Sequence, residues 1–232
     1  MHDNVGFRGD RRDFLRIASY GFVGTVLGMP GGGTATAYAR EQEPTEGESE
    51  GILYSIGEPK IFVSKPENLL YIYDEDREIR RYTIMLGSQG GSKRVRDDNK
   101  TPEGSYYICE KSENTRDFSL GSRWMRLSYP NAQDAEFGLR NGIIDRSEYN
   151  EICKAIENEE IPPQNTKLGS GIGIHGIKET ELSRLGLPFL KAFHRLTGVG
   201  MDISEGCIMM DNCDIEEIYP HLPLGTTVEI IG

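Results

Sequence analysis

Short stretches of β-type residues dominate the chain from Pro59 onward. Residues 61–64, 69–73, 81–86, 105–110, 124–128, 172–175 and 227–231 are rich in Ile, Val, Tyr and Thr, and Gly, Pro, Asn and Asp fill the breaks between them. The pattern predicts a mainly β body, a sandwich or barrel. Helical spacing is confined to a few places. Ile152, Ala155 and Ile156 share a face within 147–160, and Pro162 with Pro163 terminates that helix. A second helix is expected over 188–196, with Pro188 in its first turn and Gly198 beyond its end. A third is expected to open at Asp214, with Glu217 three residues on as in a capping box. Helices are therefore short insertions on a β body.

The N-terminus follows another pattern. Arg11, Arg12 and Arg16 precede a mostly apolar or small stretch of 13 residues, 17–29, and Ala37-Tyr38-Ala39 closes the segment with a small-x-small site. These are the three parts of a signal peptide, and 13 residues are too few to cross a bilayer as a helix. Gly21, Gly24 and Gly28 argue against an ordinary amphipathic helix, each disfavouring one by ~1 kcal/mol. The arginine pair followed by Phe14-Leu15 resembles the twin-arginine export signal. The first cysteine is Cys109, so no lipid anchor is expected at the cleavage site, and the mature protein is expected to carry no membrane anchor.

The chain has 232 residues, 37% of them hydrophobic and 27% charged, with no apolar run near the ~18 residues of a membrane span. That suits one domain of ordinary size behind a removable leader. Net charge is -11, and loss of residues 1–39 removes four arginines against three aspartates, which lowers it further. Nucleic acid is excluded as a natural partner, because phosphate neutralisation requires a basic surface. Residues 40–51 are glutamate-rich and hold no apolar side chain, so they cannot bury enough surface to offset the entropy of ordering. The organisation read from the chain is a twin-arginine-type signal peptide over 1–39, an acidic linker over 40–58 and a folded domain over 59–232.

Candidate chemistry sits late. Gly173-Ile174-His175-Gly176 puts a histidine at the end of an expected strand, and Ser204-Glu205-Gly206-Cys207-Ile208 puts a cysteine on a tight glycine turn. A thiol nucleophile needs an imidazole partner, and backbone N–H groups to stabilise the oxyanion after attack. Glycine before the cysteine exposes such amides. A histidine and a cysteine 32 residues apart fix no chemistry by themselves. A zinc set of His175, Cys207, Cys213 and His221 matches no familiar ligand spacing, so no metal site is expected. With Cys207 reserved, Cys109, Cys153 and Cys213 allow at most one disulfide, and burial as a small hydrophobe is expected for at least one. His194 is expected on a solvent side, and Lys93-Arg94-Val95-Arg96 is expected to be a solvated charge run, with contact to substrate carboxylates as the alternative.

The ordered segments Leu86-Gly87-Ser88, Lys100-Thr101-Pro102-Glu103-Gly104, Ser128-Tyr129-Pro130-Asn131, Gly173-Ile174-His175-Gly176 and Asp202-Ile203-Ser204-Glu205-Gly206-Cys207-Ile208 together resemble the L,D-transpeptidase catalytic domain family (YkuD-like). The resemblance spans residues 60–231. It implies a mainly β sandwich or barrel with short helical insertions that remodels peptidoglycan. In that family a cysteine takes the acyl group of a tetrapeptide stem, expelling the terminal D-alanine, and passes it to an amine. Cys207 then matches the nucleophile, His175 the general base, the amides near Gly206 and Cys207 the oxyanion hole, and Ser204 the Ser/Thr of the motif. Gly176 and Glu205 match substrate-proximal positions. No metal or organic cofactor is implied, since thiolate acyl transfer needs neither. The implied partners are stem peptides or a wall-anchored protein, reached in the periplasm or cell wall.

Three departures bear on specificity. The family often carries His before the Gly-Cys pair and Arg two residues after the Cys, where this chain has Glu205 and Met209. A carboxylate at 205 pointing inward would raise the thiol pKa, and the absent guanidinium removes a carboxylate clamp. The third is an insert over 178–196, with a lid, a docking surface or a plain surface insertion as its readings. The sequence keeps three functions open: a transpeptidase, a hydrolase of the same fold, and a wall-binding module without catalysis.

Overall fold

In the computed structural model, residues 57–113, 120–177 and 202–232 are described, all within one unit that spans 44–232. The leader 1–39, most of the acidic linker, the expected helix 188–196 and the insert 178–196 lie outside the described residues.

Among the described residues, eight strands form one mixed sheet: β1 (Pro59–Ser64), β2 (Leu69–Asp74), β3 (Arg77–Thr83), β4 (Gly104–Glu113), β5 (Arg123–Leu127), β6 (Gly173–Gly176), β7 (Ile208–Met210) and β8 (Thr227–Ile231). Their order is β3-β2-β1-β8-β4-β5-β6-β7. Beyond β3 the chain bridges to the opposite edge, where the amides of Met85 and Met209 each donate to the other's carbonyl at 2.8 Å. The sheet thus nearly closes into a barrel, and few backbone groups are left at an open edge. Alternation does the filling. Ile61 and Val63, Leu70 and Ile72, Met125 and Leu127, Ile208 and Met210, and Val228 and Ile230 all point into one core.

Among the described residues, three α-helices attach to this barrel: α1 (Ala132–Arg140), α2 (Arg146–Glu157) and α3 (Asn212–Ile218). Asn131 caps α1 and Asp145 caps α2, each in a complete capping box with Asp134 or Glu148. These two helices build a second small core from Ala135, Ile144, Ile152 and Leu168. The sequence reading of α2 was close, whereas α1 and β7 were absent from it. Strand β3 starts and ends earlier than the expected 81–86, because the chain leaves its partner β2 after Thr83 to make the closing bridge. Helix α3 opens two residues before Asp214, since Asp211 is the residue whose side chain accepts the Cys213 amide, at 3.1 Å.

Candidate active site

The cysteine turn is built from hydrogen bonds that its own sequence supplies. The Asp202 carboxylate accepts from the Leu86 amide at 3.0 Å and from Asn68 Nδ2 at 2.7 Å, which pins the segment before the turn to the chain beyond β3 and to the β1–β2 connection. The Ser204 amide donates to Leu86 O at 3.0 Å, and the Ser88 amide donates to Ser204 O at 2.9 Å. Inside the turn, Ser204 Oγ donates to Cys207 O at 2.6 Å and accepts from the Gly206 amide at 3.1 Å. Gly206 has φ +132°, and a Cβ there would sit 2.7 Å from Lys100 O, so only glycine fits. Glu205 is exposed and projects away from this packing.

Strand register then sets the thiol beside the histidine. Strands β6 and β7 run parallel with Ile174 opposite Ile208 and His175 opposite Met209, which puts Cys207 level with Gly173. Strands β5 and β6 run antiparallel with Trp124 opposite His175 and Arg126 opposite Gly173. Ile174 and Ile208 face the core, so His175, Gly173 and Cys207 share the other face. Trp124 and His175 are in ring contact on that face, with centroids 5.8 Å apart.

His175 is 5% exposed, and its Nδ1 lies 2.6 Å from Gly176 O. A carbonyl only accepts, so Nδ1 carries the hydrogen in the neutral ring and Nε2 holds the lone pair. Burial lowers the imidazole's pKa, against the opposing pull of the Gly176 and Leu120 carbonyls. Asn212 fixes this end of β6. Its Nδ2 donates to Ile177 O at 2.9 Å, its Oδ1 accepts from the Ser122 amide at 3.0 Å, and any Cβ on Gly176 would collide with that Oδ1.

The thiol of Cys207 donates to Gly171 O at 3.2 Å rather than to the imidazole. Burial pushes its pKa up to about 11, the Glu205 carboxylate pushes the same way, and the Gly173 amide and the charges of Lys93 and Arg126 oppose them. The resting site is thus a neutral thiol beside a neutral imidazole. Because the Gly206 amide is taken by Ser204 Oγ, the amide of Cys207 is the donor left for an oxyanion on this turn.

The basic run departs from expectation at Lys93. Lys93 is 3% exposed, donating to Asp98 Oδ1 at 2.8 Å and to Val95 O at 3.0 Å. Asp98 also accepts from the amides of Arg94, Val95 and Lys100, and Arg96 Nη2 donates to Thr166 O at 2.8 Å. Lys93 is thus buried and paired, whereas the Arg94 side chain is 43% exposed and Val95 and Arg96 are exposed, as expected of a solvated run. Among the described residues Cys109, Cys153 and Cys213 form no disulfide; the first two are half-buried and the third is exposed. Among the described residues, no group of three or more His, Cys, Asp or Glu could hold a metal ion, and no helix is long and apolar enough to cross a membrane. Trp124 and Asn212 support the site and were not singled out from sequence, whereas Asp202 entered as the head of the cysteine motif and Lys93 as part of the basic run.

Comparison with known proteins identifies the family. The family model described as the L,D-transpeptidase catalytic domain (YkuD) matches residues 58–230. A stretch of 34 residues, 15% of this chain and 11% of the relative, is 47% identical to the probable L,D-transpeptidase ErfK/SrfK of Salmonella typhimurium. The fold is similar to Bd1075 of Bdellovibrio bacteriovorus, at 24% identity and TM-score 0.45, covering 77% of this chain and 49% of that one. It is also similar to the helical cell shape determining protein Pgp2 of Campylobacter jejuni, at 20% identity and TM-score 0.46, covering 78% of this chain and 54% of that one. The chain thus spans about half the length of these two solved structures and a small part of the curated relative. With the family model matched over most of its length and the cysteine and histidine motifs inside the match, the chain belongs to the L,D-transpeptidase catalytic domain family.

Proposed function

We propose that this protein remodels peptidoglycan by cysteine acyl transfer on stem peptides, with Cys207 as nucleophile and His175 as general base. The observation that carries the reading is the β5-β6-β7 register, which sets the thiol and the imidazole on one face with Nδ1 anchored on Gly176 O. With both groups neutral at rest, the thiol proton passes to Nε2 as sulfur attacks the stem carbonyl, and the carbonyls of Gly176 and Leu120 favour the imidazolium that forms. The Cys207 amide stabilises the oxyanion. Collapse breaks the C–N bond, and the departing amine takes the proton back from His175. An amine acceptor then attacks the thioester and regenerates the thiol. Ser204 and Gly206 hold the turn, and Gly176 holds the histidine. The leader delivers the chain to the periplasm or wall where this substrate lies.

Incubation of the full chain with purified muropeptides, followed by mass spectrometry, tests the reading. Cross-linked dimers are the expected product. Tripeptide monomers alone would assign the hydrolase activity instead, and unchanged muropeptides would overturn the catalytic reading.

A further inference from the structure

We propose that Asn212 is the positioning residue that sets the tautomer of His175, by clamping together the two backbone segments whose carbonyls act on the imidazole; the assignment rests on the acyl-transfer reading above, in which Nε2 must keep its lone pair. Those carbonyls belong to Gly176 and Leu120. They lie on segments far apart in sequence, the end of β6 and the stretch before β5, and one carboxamide holds both. Asn212 Nδ2 donates to Ile177 O, one residue beyond Gly176, and Asn212 Oδ1 accepts from the Ser122 amide, two residues beyond Leu120. A backbone N–H only donates and a carbonyl only accepts, so these partners fix which way the carboxamide points.

Packing leaves no slack at this joint. Gly121 has φ +68°, and a Cβ there would collide with both Gly176 C and Asn212 Oδ1. The three residues thus meet backbone against carboxamide, a closeness that needs glycine at 121 and at 176. Asn212 is itself anchored on both sides. It follows β7 closely, whose last residue, Met210, pairs with Gly176. It also opens α3, which the Asp211 side chain caps and whose Ile215 and Ile218 lie in the barrel core. Strand and helix therefore carry the rigidity of the core to the carbonyl that receives the Nδ1 hydrogen.

Loss of the clamp has a chemical consequence. Nδ1 lies 2.6 Å from Gly176 O, and that contact is what puts the hydrogen on Nδ1 and leaves Nε2 able to take the thiol proton. With Ile177 O released, Gly176 O can turn away, and a ring protonated on Nε2 is no base toward sulfur. Trp124, with its ring centroid 5.8 Å from that of His175, bears on the tilt of the imidazole and not on its proton. The two carbonyls also favour the imidazolium formed during attack, so the clamp acts on the transition state rather than on substrate binding.

The test uses the full-length chain with isotopically labelled histidine, read by ring-nitrogen NMR, and His175→Gln identifies the His175 signals. At a pH where the ring is neutral, the wild-type chain is expected to show one tautomer, protonated on Nδ1. Asn212→Ala is expected to show both tautomers. Its kcat for muropeptide turnover should fall about 10- to 100-fold at unchanged KM, because misplacing a reacting group by about 1 Å costs up to about 100-fold. Alkylation of Cys207 by iodoacetamide should keep its wild-type rate, since Asp202 and Ser204 hold the cysteine turn. Asn212→Asp keeps the size and the Ser122 bond but sets an oxygen against Ile177 O, so it gives the same mixture without opening a gap. A single Nδ1-protonated tautomer in both variants, or alkylation slowed together with turnover, would overturn the assignment. A wild-type chain that turns over no muropeptide would instead overturn the acyl-transfer reading, and the ring spectra alone would then decide the clamp.

Discussion

The thiol of Cys207 should behave as an unusually weak acid even though it is the nucleophile. Its pKa is raised from 9.0 to about 11, chiefly by burial. At pH 7 the thiolate fraction therefore falls from about 10⁻² to about 10⁻⁴, a hundredfold loss relative to an unperturbed cysteine. Alkylation reads that fraction directly, because the thiolate is the reacting species. With iodoacetamide as probe and peptide mass spectrometry to separate Cys207 from the exposed Cys213, modification of Cys207 should rise about tenfold per pH unit from 7 to 10. Turnover of a peptide donor should follow another curve, because His175 takes the proton during attack. Burial holds its imidazole below the ordinary 6.5, so kcat/KM should climb on a limb below that pH and then stay level while alkylation continues to rise. The separation of the two curves is the signature of a neutral pair. Alkylation that levels off by pH 8 would show a thiolate–imidazolium pair already formed at rest and refute the reasoning.

Gly206→Ala forces a side chain into φ +132° against Lys100 O. A cost of about 1–3 kcal/mol is expected, seen as a lower urea midpoint together with loss of turnover; an unchanged midpoint would contradict it. Asp134, buried beneath the Tyr106 hydroxyl, has its pKa raised from 3.8 to about 6 by desolvation. The unfolded chain releases this proton first as pH rises, so the group's stabilising contribution is full below about 3.8 and lost through about 6, a change on the order of 3 kcal/mol. Asp134→Asn should remove that dependence in urea unfolding at pH 4.5 and 7, and parallel pH curves for variant and wild type would refute it. Changing Arg11 and Arg12 together to lysine keeps the charge but not the guanidinium geometry. Unprocessed precursor should remain in the cytoplasm on fractionation, and normal appearance of a processed form outside it would refute the twin-arginine reading.

Strands that alternate over five or more residues were legible because the period of two survives in them, as in β1, β2 and β8. Strand β7, only Ile208-Met209-Met210, is too short to show a period, and its role comes from closing on Met85. Helix α1 is only nine residues long and contains Gly138, so its one strong signal is the Asn131/Asp134 capping box. Cys207, His175 and their glycines were legible as motifs, since tight turns and close approaches demand glycine wherever they occur. Burial of Lys93 was not, because its partner Asp98 and the packing of its stem against Gly169 depend on how the loop folds back. Trp124 was not legible for a different reason: its place beside His175 follows from the pairing of β5 with β6, strands separated by more than forty residues of chain.

The most direct test is the mass of the enzyme itself after a brief reaction with a tetrapeptide donor. The account predicts a tripeptide acyl adduct on the peptide that contains Cys207, lost in Cys207→Ala and formed far more slowly in His175→Gln, by roughly 10²- to 10⁴-fold. An adduct on another residue, or turnover that persists in Cys207→Ala, would contradict it.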